Sequence, residues 1–458
     1  MGSAKVAQLP FCVYALDGQD HNNEKSMKPI TRWIAATALS LTFATAQAEY
    51  QEDVAVYVNA SVWSGEHDRL LENTALVVRD GVVAKVVAMS ELDIPEGART
   101  QDLGGRYVVP GLINAHGHVG VARGLATGPA AHSAENVEDQ LRLYAHYGIT
   151  TVVSLGDEPQ QAFAVRNEQQ PAADGQARLW MSGPVIDADS PAAARESVAQ
   201  HLAANPDWIK IRVNDYLGRG EKMRPEVYRA VIDAAHDGGV PVAVHIVALD
   251  DTLDLLKSGA DLVAHSVRDK PVSQEMIDLM RSEGICITPT LTREISVFVY
   301  AQRPDFFDDP FFLETADTAV LEELQQPEVQ QGYTGREADF YRQALPLAKA
   351  NMMALHNGGV RIAMGTDSGP PARFQGYFEH LEMEMMQEAG MTPLEVLVSA
   401  TRNAAACMSL DGKVGTLAPG KAADFLVLSK NPLEDVRNLR AIEDVYIGGI
   451  RVERTATH

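Results

Sequence analysis

One junction recurs along the middle of this chain: a helical stretch ends at a glycine and an apolar, β-branched run begins at once. It occurs in AHYG-ITTVVSLG, AHDGG-VPVAVHI, LKSG-ADLVAHS, RSEG-ICITPTL and LHNGG-VRIAMGTD. Glycine suits the left-handed position after a helix, and a near-continuous apolar run predicts a strand covered on both faces. Strands alternating with helices predict a parallel α/β sheet. With INAHGHV ahead of these and RLWMSGPVI and WIKIRV between them, eight strands are counted. Eight is the number that closes a (β/α)₈ TIM barrel.

The two ends read differently. DVAVYVNA, TALVVRDGVVAKVVA and RYVVPG are short strands with turn signals, Asp80-Gly81 marking a hairpin, and the same texture returns in AADFLVLS and DVYIGGIRV. The expected organisation is therefore a small discontinuous β-sandwich domain formed by residues 49–110 and 411–458, around a barrel over 111–410. Residues 293–345, rich in aromatics (Phe298, Tyr300, Phe306, Phe307, Phe311, Phe312), form an insertion ahead of the last strand. It reads either as a lid over the site or as a surface elaboration that buries its own aromatics. In TPLEVLVSATRNAAA, Thr392, Pro393 and Glu395 supply an N-cap, an N1 proline and a capping-box acid for the following helix.

From Met27 the chain reads MKPITRWIAATALSLTFATAQA, with Lys28 and Arg32 ahead of an apolar run and Ala46-Gln47-Ala48 closing it. That is the layout of a secretory signal over 27–48, cleaved after Ala48, and it predicts a periplasmic or secreted protein. The apolar run is shorter than the ~20 residues of a spanning helix, so no stable membrane insertion is expected after signal removal. Residues 1–26 fit no part of a signal, and 1–48 are set aside as a leader. A length of 458 residues suits a barrel and a companion domain. The net charge of -23 excludes nucleic acid as a partner. The three cysteines, Cys12, Cys286 and Cys407, show no paired spacing, so neither a disulfide framework nor a Cys-based zinc site is expected.

The candidate chemistry lies at strand ends. His116 and His118 are two apart in a strand, so both side chains leave one face and suit a shared divalent ion. In Trp-Ile-Lys-Ile-Arg-Val, Ile209, Ile211 and Val213 claim one face, leaving Lys210 for the barrel interior. A buried ammonium either finds a carboxylate or loses its proton, and a neutral amine can add carbon dioxide to become an anionic carbamate. The ordinary alternative is a salt-bridged or outward-snorkelling lysine. His245 ends VPVAVHI, His265 ends DLVAHS, and Asp367 follows RIAMGT. Each alone has a bland reading, as a core histidine or a turn aspartate. Together, all six fall at the carboxyl ends of predicted strands, the face where such barrels place chemistry. His146, His236 and His356 sit at helix ends and receive no catalytic part.

With these residues in place, the chain resembles the amidohydrolase superfamily, in particular its imidazolonepropionase-like and prolidase-like members. The resemblance runs from about Asp53 to Arg451 and is carried by VVPGLINAHGH, ITTVVSLGD, WIKI, VAVH, VAHS, GTDSG and VGTLAPGKAADFLVL. It implies a binuclear site in which His116, His118 and Asp367 hold one metal and His245 and His265 the other. Carbamylated Lys210 and a hydroxide would bridge them, with zinc as the default metal ahead of manganese or cobalt. By the same resemblance, the bridging hydroxide attacks a carbonyl carbon, the carbon-nitrogen bond breaks, and Asp367 passes the proton to the leaving nitrogen. One departure is Arg212-Val213-Asn214-Asp215-Tyr216, where prolidase-like relatives tend to be glycine-rich. Arg212, Tyr216, Arg293 and Tyr300 are candidate pocket residues, an arginine being suited to a substrate carboxylate. The small-molecule substrate expected is an amide of the N-acyl amino acid or dipeptide type. A cyclic amide, lactone or ester is the alternative, and an inactive secreted barrel acting as a binding scaffold is the reading from another class. A homo-oligomer is left open.

Overall fold

The computed structural model describes residues 53–454, so the leader expected over 1–48 lies outside the described residues. One sheet draws on both ends of the described chain. Val54–Val62 pairs antiparallel with Leu71–Arg79, which turns back into Val82–Ala88. The turn residues Asp80 and Gly81 have φ of 50° and 78°, the two positive values that a primed hairpin turn requires. Tyr107–Pro110 runs parallel to the first strand and antiparallel to Phe425–Leu428, and the latter passes the sheet on to Ile442–Ile447 and Ile450–Arg451. Phe425 stacks on Tyr446 at 4.4 Å, with Tyr57 edge-on to both, so one aromatic knot joins the two ends.

The middle of the chain has a mixed α/β fold of parallel strands and helices. Ile149–Ser154 lies between Leu112–Gly117 and Arg178–Met181, and Ile209–Arg212, Val242–His245, Leu262–Ala264 and Cys286–Thr288 pair in chain order, all parallel. Hydrogen bonds from Asp207 N to Met181 O and from Ile186 N to Lys210 O, each 2.9 Å, link the two groups. The segment that carries Asp367 reaches both ways. Ala363 N donates to Ile287 O at 2.9 Å, while Ala115 N donates to Met364 O at 2.9 Å. The pairings thus lead from the strand of His116 through to the segment of Asp367 and back.

Alternation sorts the side chains of these strands. Ile209 and Ile211 join the large core beneath the helices, whereas Ile113, Ala115, Val153, Ala243, Leu262 and Ala363 form a separate apolar cluster on the other face. Ala404, Ala405, Cys407 and Met408 cover one end of that cluster. There the structure corrects the reading of the cysteines: Cys286 and Cys407, 121 residues apart, form a disulfide with Cα atoms 5.8 Å apart. Spacing motifs report local pairs, and this pair is created by tertiary packing.

The capping box at Thr392 and Glu395 is present, and the helix it starts passes through a π segment at Ser399–Asn403 before resuming. Within 293–345 the aromatics pack on one another and on Phe374, Tyr377 and Phe378. No helix among the described residues is long and apolar enough to cross a membrane.

Candidate metal centre

His116, His118, Lys210, His245, His265 and Asp367 are all buried and lie next to one another. Asp367 Oδ1 is 2.6 Å from His118 Nε2 and 3.5 Å from His116 Nε2. Lys210 Nζ is 3.1 Å from His116 Nε2, so the lysine meets an imidazole at hydrogen-bond distance. The His265 ring centroid lies 4.8 Å from that of His116 and 4.3 Å from that of His245. One donor atom each from His116, His265 and Asp367 fall within 4.8 Å of one another, a group that could hold a metal ion.

The rings are aimed from behind. Nδ1 of His118 donates to Gly156 O at 2.7 Å, while Nδ1 of His116 and of His265 meet Thr288 Oγ1 at 3.2 Å and Thr290 Oγ1 at 2.7 Å. Each partner occupies Nδ1 and leaves Nε2 for the centre, the arrangement that orients ligating histidines. Asn114 Oδ1 accepts from His116 N, and its amide donates to Glu379, which also accepts from Thr366 and Ser368. The buried Glu379 therefore ties the His116 strand to the Asp367 turn.

The backbone is strained at the same place. His265, Asp367 and Thr290 have φ of 73°, 59° and 51°, left-handed values that non-glycine residues adopt at a cost of order 1–3 kcal/mol each. Gly369, in Gly-Thr-Asp-Ser-Gly, has φ 113°, and a Cβ there would meet His118 O at 2.3 Å, so only glycine lets this turn pass the histidine.

Burial holds the imidazoles of His116, His245 and His265 well below the usual histidine range, aided by Lys210, Arg268 and His245 respectively. At His118 burial acts the same way, but the hydrogen bond and charge of Asp367 outweigh it and raise the pKa. Burial would raise Asp367; the Arg373 guanidinium and the His118 hydrogen bond instead hold it well below the carboxylate range. Burial brings Lys210 down to about 8 against the attraction of Asp367.

A cavity of about 180 Å³ opens on this group. Of the expected pocket residues, Arg212, Tyr216 and Arg293 line it. Tyr300 does not: it is fully buried in the aromatic cluster, with its hydroxyl donating to Ala372 O at 2.6 Å. The sequence reading passed over Arg373, Asn214 and Tyr341, which also line the cavity. Arg373 Nη1 donates to Asp367 Oδ2, Asn214 Nδ2 lies 3.2 Å from His245 Nε2, and the Arg293 guanidinium sits 4.4 Å over the Tyr341 ring. Arg373 follows the last strand and Asn214 the lysine strand, so the strand-end rule pointed at both neighbourhoods. Arg336 Nη2 donates to Leu217 O at 2.8 Å, which fastens the aromatic insertion to the loop after the lysine strand.

The model of the amidohydrolase family matches residues 107–452. The chain belongs to that family. It is thus an enzyme, a hydrolase of carbon-nitrogen bonds acting on small molecules. The ochratoxinase of Aspergillus niger is 25% identical to this amidohydrolase over 435 residues, covering 83% of this chain and 82% of the relative. The imidazolonepropionase of Maricaulis maris is 25% identical over 414 residues, 78% of this chain and 87% of the relative. Among solved structures, a protein from Bifidobacterium longum provisionally named a prolidase superposes with a TM-score of 0.72 at 26% identity, covering 89% of this amidohydrolase and 96% of that chain.

Proposed function

We propose that this amidohydrolase is a binuclear metal-dependent hydrolase of N-acyl amino acids or dipeptides, with its site at one rim of a closed (β/α)₈ barrel. The observation that carries this reading is the convergence of six side chains from four strands and the turn at Asp367, with ring nitrogens directed at a common centre. The donor set fits metals. Neutral imidazoles and a carboxylate are ligands that zinc accepts, and His116, His118 and His265 are braced through Nδ1. His116, His118 and Asp367 would hold one ion, His245 and His265 the other, and Lys210, as its carbamate, would join them. When bound, two such cations polarise a carbonyl and lower the pKa of water.

The chain's own groups supply the rest. Asp367 takes the proton of the attacking water and returns it to the leaving nitrogen. Arg293, whose Nε and Nη1 have no hydrogen-bond partner among the described residues, offers a buried cation to a substrate carboxylate. Metal analysis of the purified protein, with hydrolysis of N-acyl amino acids, dipeptides, lactones and esters by wild type and Lys210→Ala, tests the proposal. About two equivalents of metal, amide hydrolysis and its loss in the variant are expected. A metal-free active protein, or full activity of Lys210→Ala, overturns it.

Export to the periplasm or medium is proposed as well. The 27–48 leader pattern and the Cys286–Cys407 disulfide both suit an oxidising compartment. A mature N-terminus at Glu49 is the expected result of N-terminal sequencing.

A further inference from the structure

Behind His265 the structure departs from the usual way of starting a helix. The short helix Leu291–Ser296 has Thr290 at its N-cap, where a threonine hydroxyl ordinarily accepts from a backbone N–H of the first turn. Here the hydroxyl makes no such bond; Thr290 Oγ1 is 2.7 Å from His265 Nδ1. The open N–H groups are met from another element. Glu382, fully buried on the helix Tyr377–Ala389, accepts from Leu291 N and Thr292 N, both at 2.7 Å, and from Thr292 Oγ1 at 2.8 Å. Both of its oxygens are used, which pins the backbone on the C-terminal side of Thr290 while Thr290 itself holds a left-handed φ of 51°.

The geometry points to Glu382 as a positioning residue: it performs the capping that Thr290 forgoes, freeing the Thr290 hydroxyl to fix the His265 ring. The segment it holds also carries Arg293 to the cavity, three residues beyond Thr290. Glu382 therefore governs two sides of one site, the ring of a candidate ligand and the cation facing the substrate. At the surface, the open N–H groups of a helix start are met by water. A fully buried carboxylate is a costly substitute unless it is well bonded, as this one is by three donors.

This inference rests on the metal-site reading, and its test separates the two. Zinc affinity is measured by chelator competition for wild type, Glu382→Gln, Thr290→Val and the double variant, with thermal unfolding of the metal-free proteins recorded alongside. Glutamine keeps the volume but turns an N–H₂ toward backbone donors. Weakening of ~10- to 100-fold is expected for Glu382→Gln and for Thr290→Val, the range for lost orienting partners of metal ligands. If Glu382 acts through Thr290, the double variant binds no more weakly than Thr290→Val alone. A folded Glu382→Gln that binds zinc as wild type does, or additive losses, overturns the role of Glu382 while leaving the metal site standing. A wild type that binds no metal overturns both. Should Glu382→Gln fail to fold, Glu382→Asp, which keeps the charge and shortens its reach, is read by the same criteria.

Discussion

Arg373 donates from Nη1 to Oδ2 of Asp367, leaving Oδ1 to His118 Nε2 at 2.6 Å. Each oxygen of the candidate proton carrier thus has its own partner, so the carboxylate is held in one orientation across the floor of the cavity. Asp367→Asn keeps the size and removes the proton acceptor. A fall in kcat of ~10²- to 10⁴-fold is expected, the range for losing a general acid-base. Steady-state kinetics check it, and a variant within about tenfold of wild type would exclude the role.

His245 packs on His265, and Asn214 lies 3.2 Å from its Nε2. If His245 serves the second ion, His245→Ala lowers metal content from about two equivalents to about one without unfolding the protein. Elemental analysis with circular dichroism decides the point. Unchanged stoichiometry would move His245 out of the ligand set.

Arg293 is buried at the cavity, stacked on Tyr341, with Nε 3.9 Å from Asp367 Oδ2 and so beyond hydrogen-bond reach. Its Nη1 has Glu294 Oε2 at 3.5 Å but no hydrogen bond, and a carboxylate on the substrate would supply that acceptor. Arg293→Ala is expected to raise KM ~10- to 100-fold for an N-acyl amino acid, equivalent to a charged hydrogen bond of about 1.5–3 kcal/mol. The corresponding amide-capped substrate, which lacks the charge, should be nearly unaffected. Equal effects on both would place the arginine in structure rather than recognition.

The Cys286–Cys407 bond closes a loop of 121 residues that holds the last parallel segment, with Asp367 within it. Cys286→Ser/Cys407→Ser is expected to lose about 2–5 kcal/mol of stability in urea unfolding. A reductant should lower the melting temperature of wild type but not of the double variant. Identical curves for all four conditions would show that the bond does not form.

Burial raises the Glu382 carboxyl to about 7, even against the donors Thr292 and Leu291. Its folded pKa therefore exceeds the ~4.3 of an exposed glutamate, and the folded state binds this proton more tightly. The sign follows from linkage: this contribution is full below about pH 4.3 and declines as pH rises toward 7, then stays flat. Urea unfolding of metal-free wild type and Glu382→Gln at pH 5 and pH 8 isolates it. The stability of wild type relative to the variant should be lower at pH 8; a constant difference would show that Glu382 does not titrate in this window.

What the sequence determined by itself was which residues stand at strand ends and which face they take. His245 and His265 each end an apolar run, and in a strand alternation alone assigns the side of a residue, so Lys210 could be set apart from Ile209 and Ile211. The Asp80-Gly81 turn and the Thr392–Glu395 capping box were equally local, since each depends on residues within one turn of each other. Which residues meet across the fold followed from packing alone. It paired Cys286 with Cys407, gave Arg373 to Asp367, took Tyr300 into the aromatic cluster, and set Glu382 behind Thr290. Local pattern records the direction in which a side chain leaves the backbone, whereas a partner dozens of residues away depends on how whole elements pack, which no short window of sequence contains.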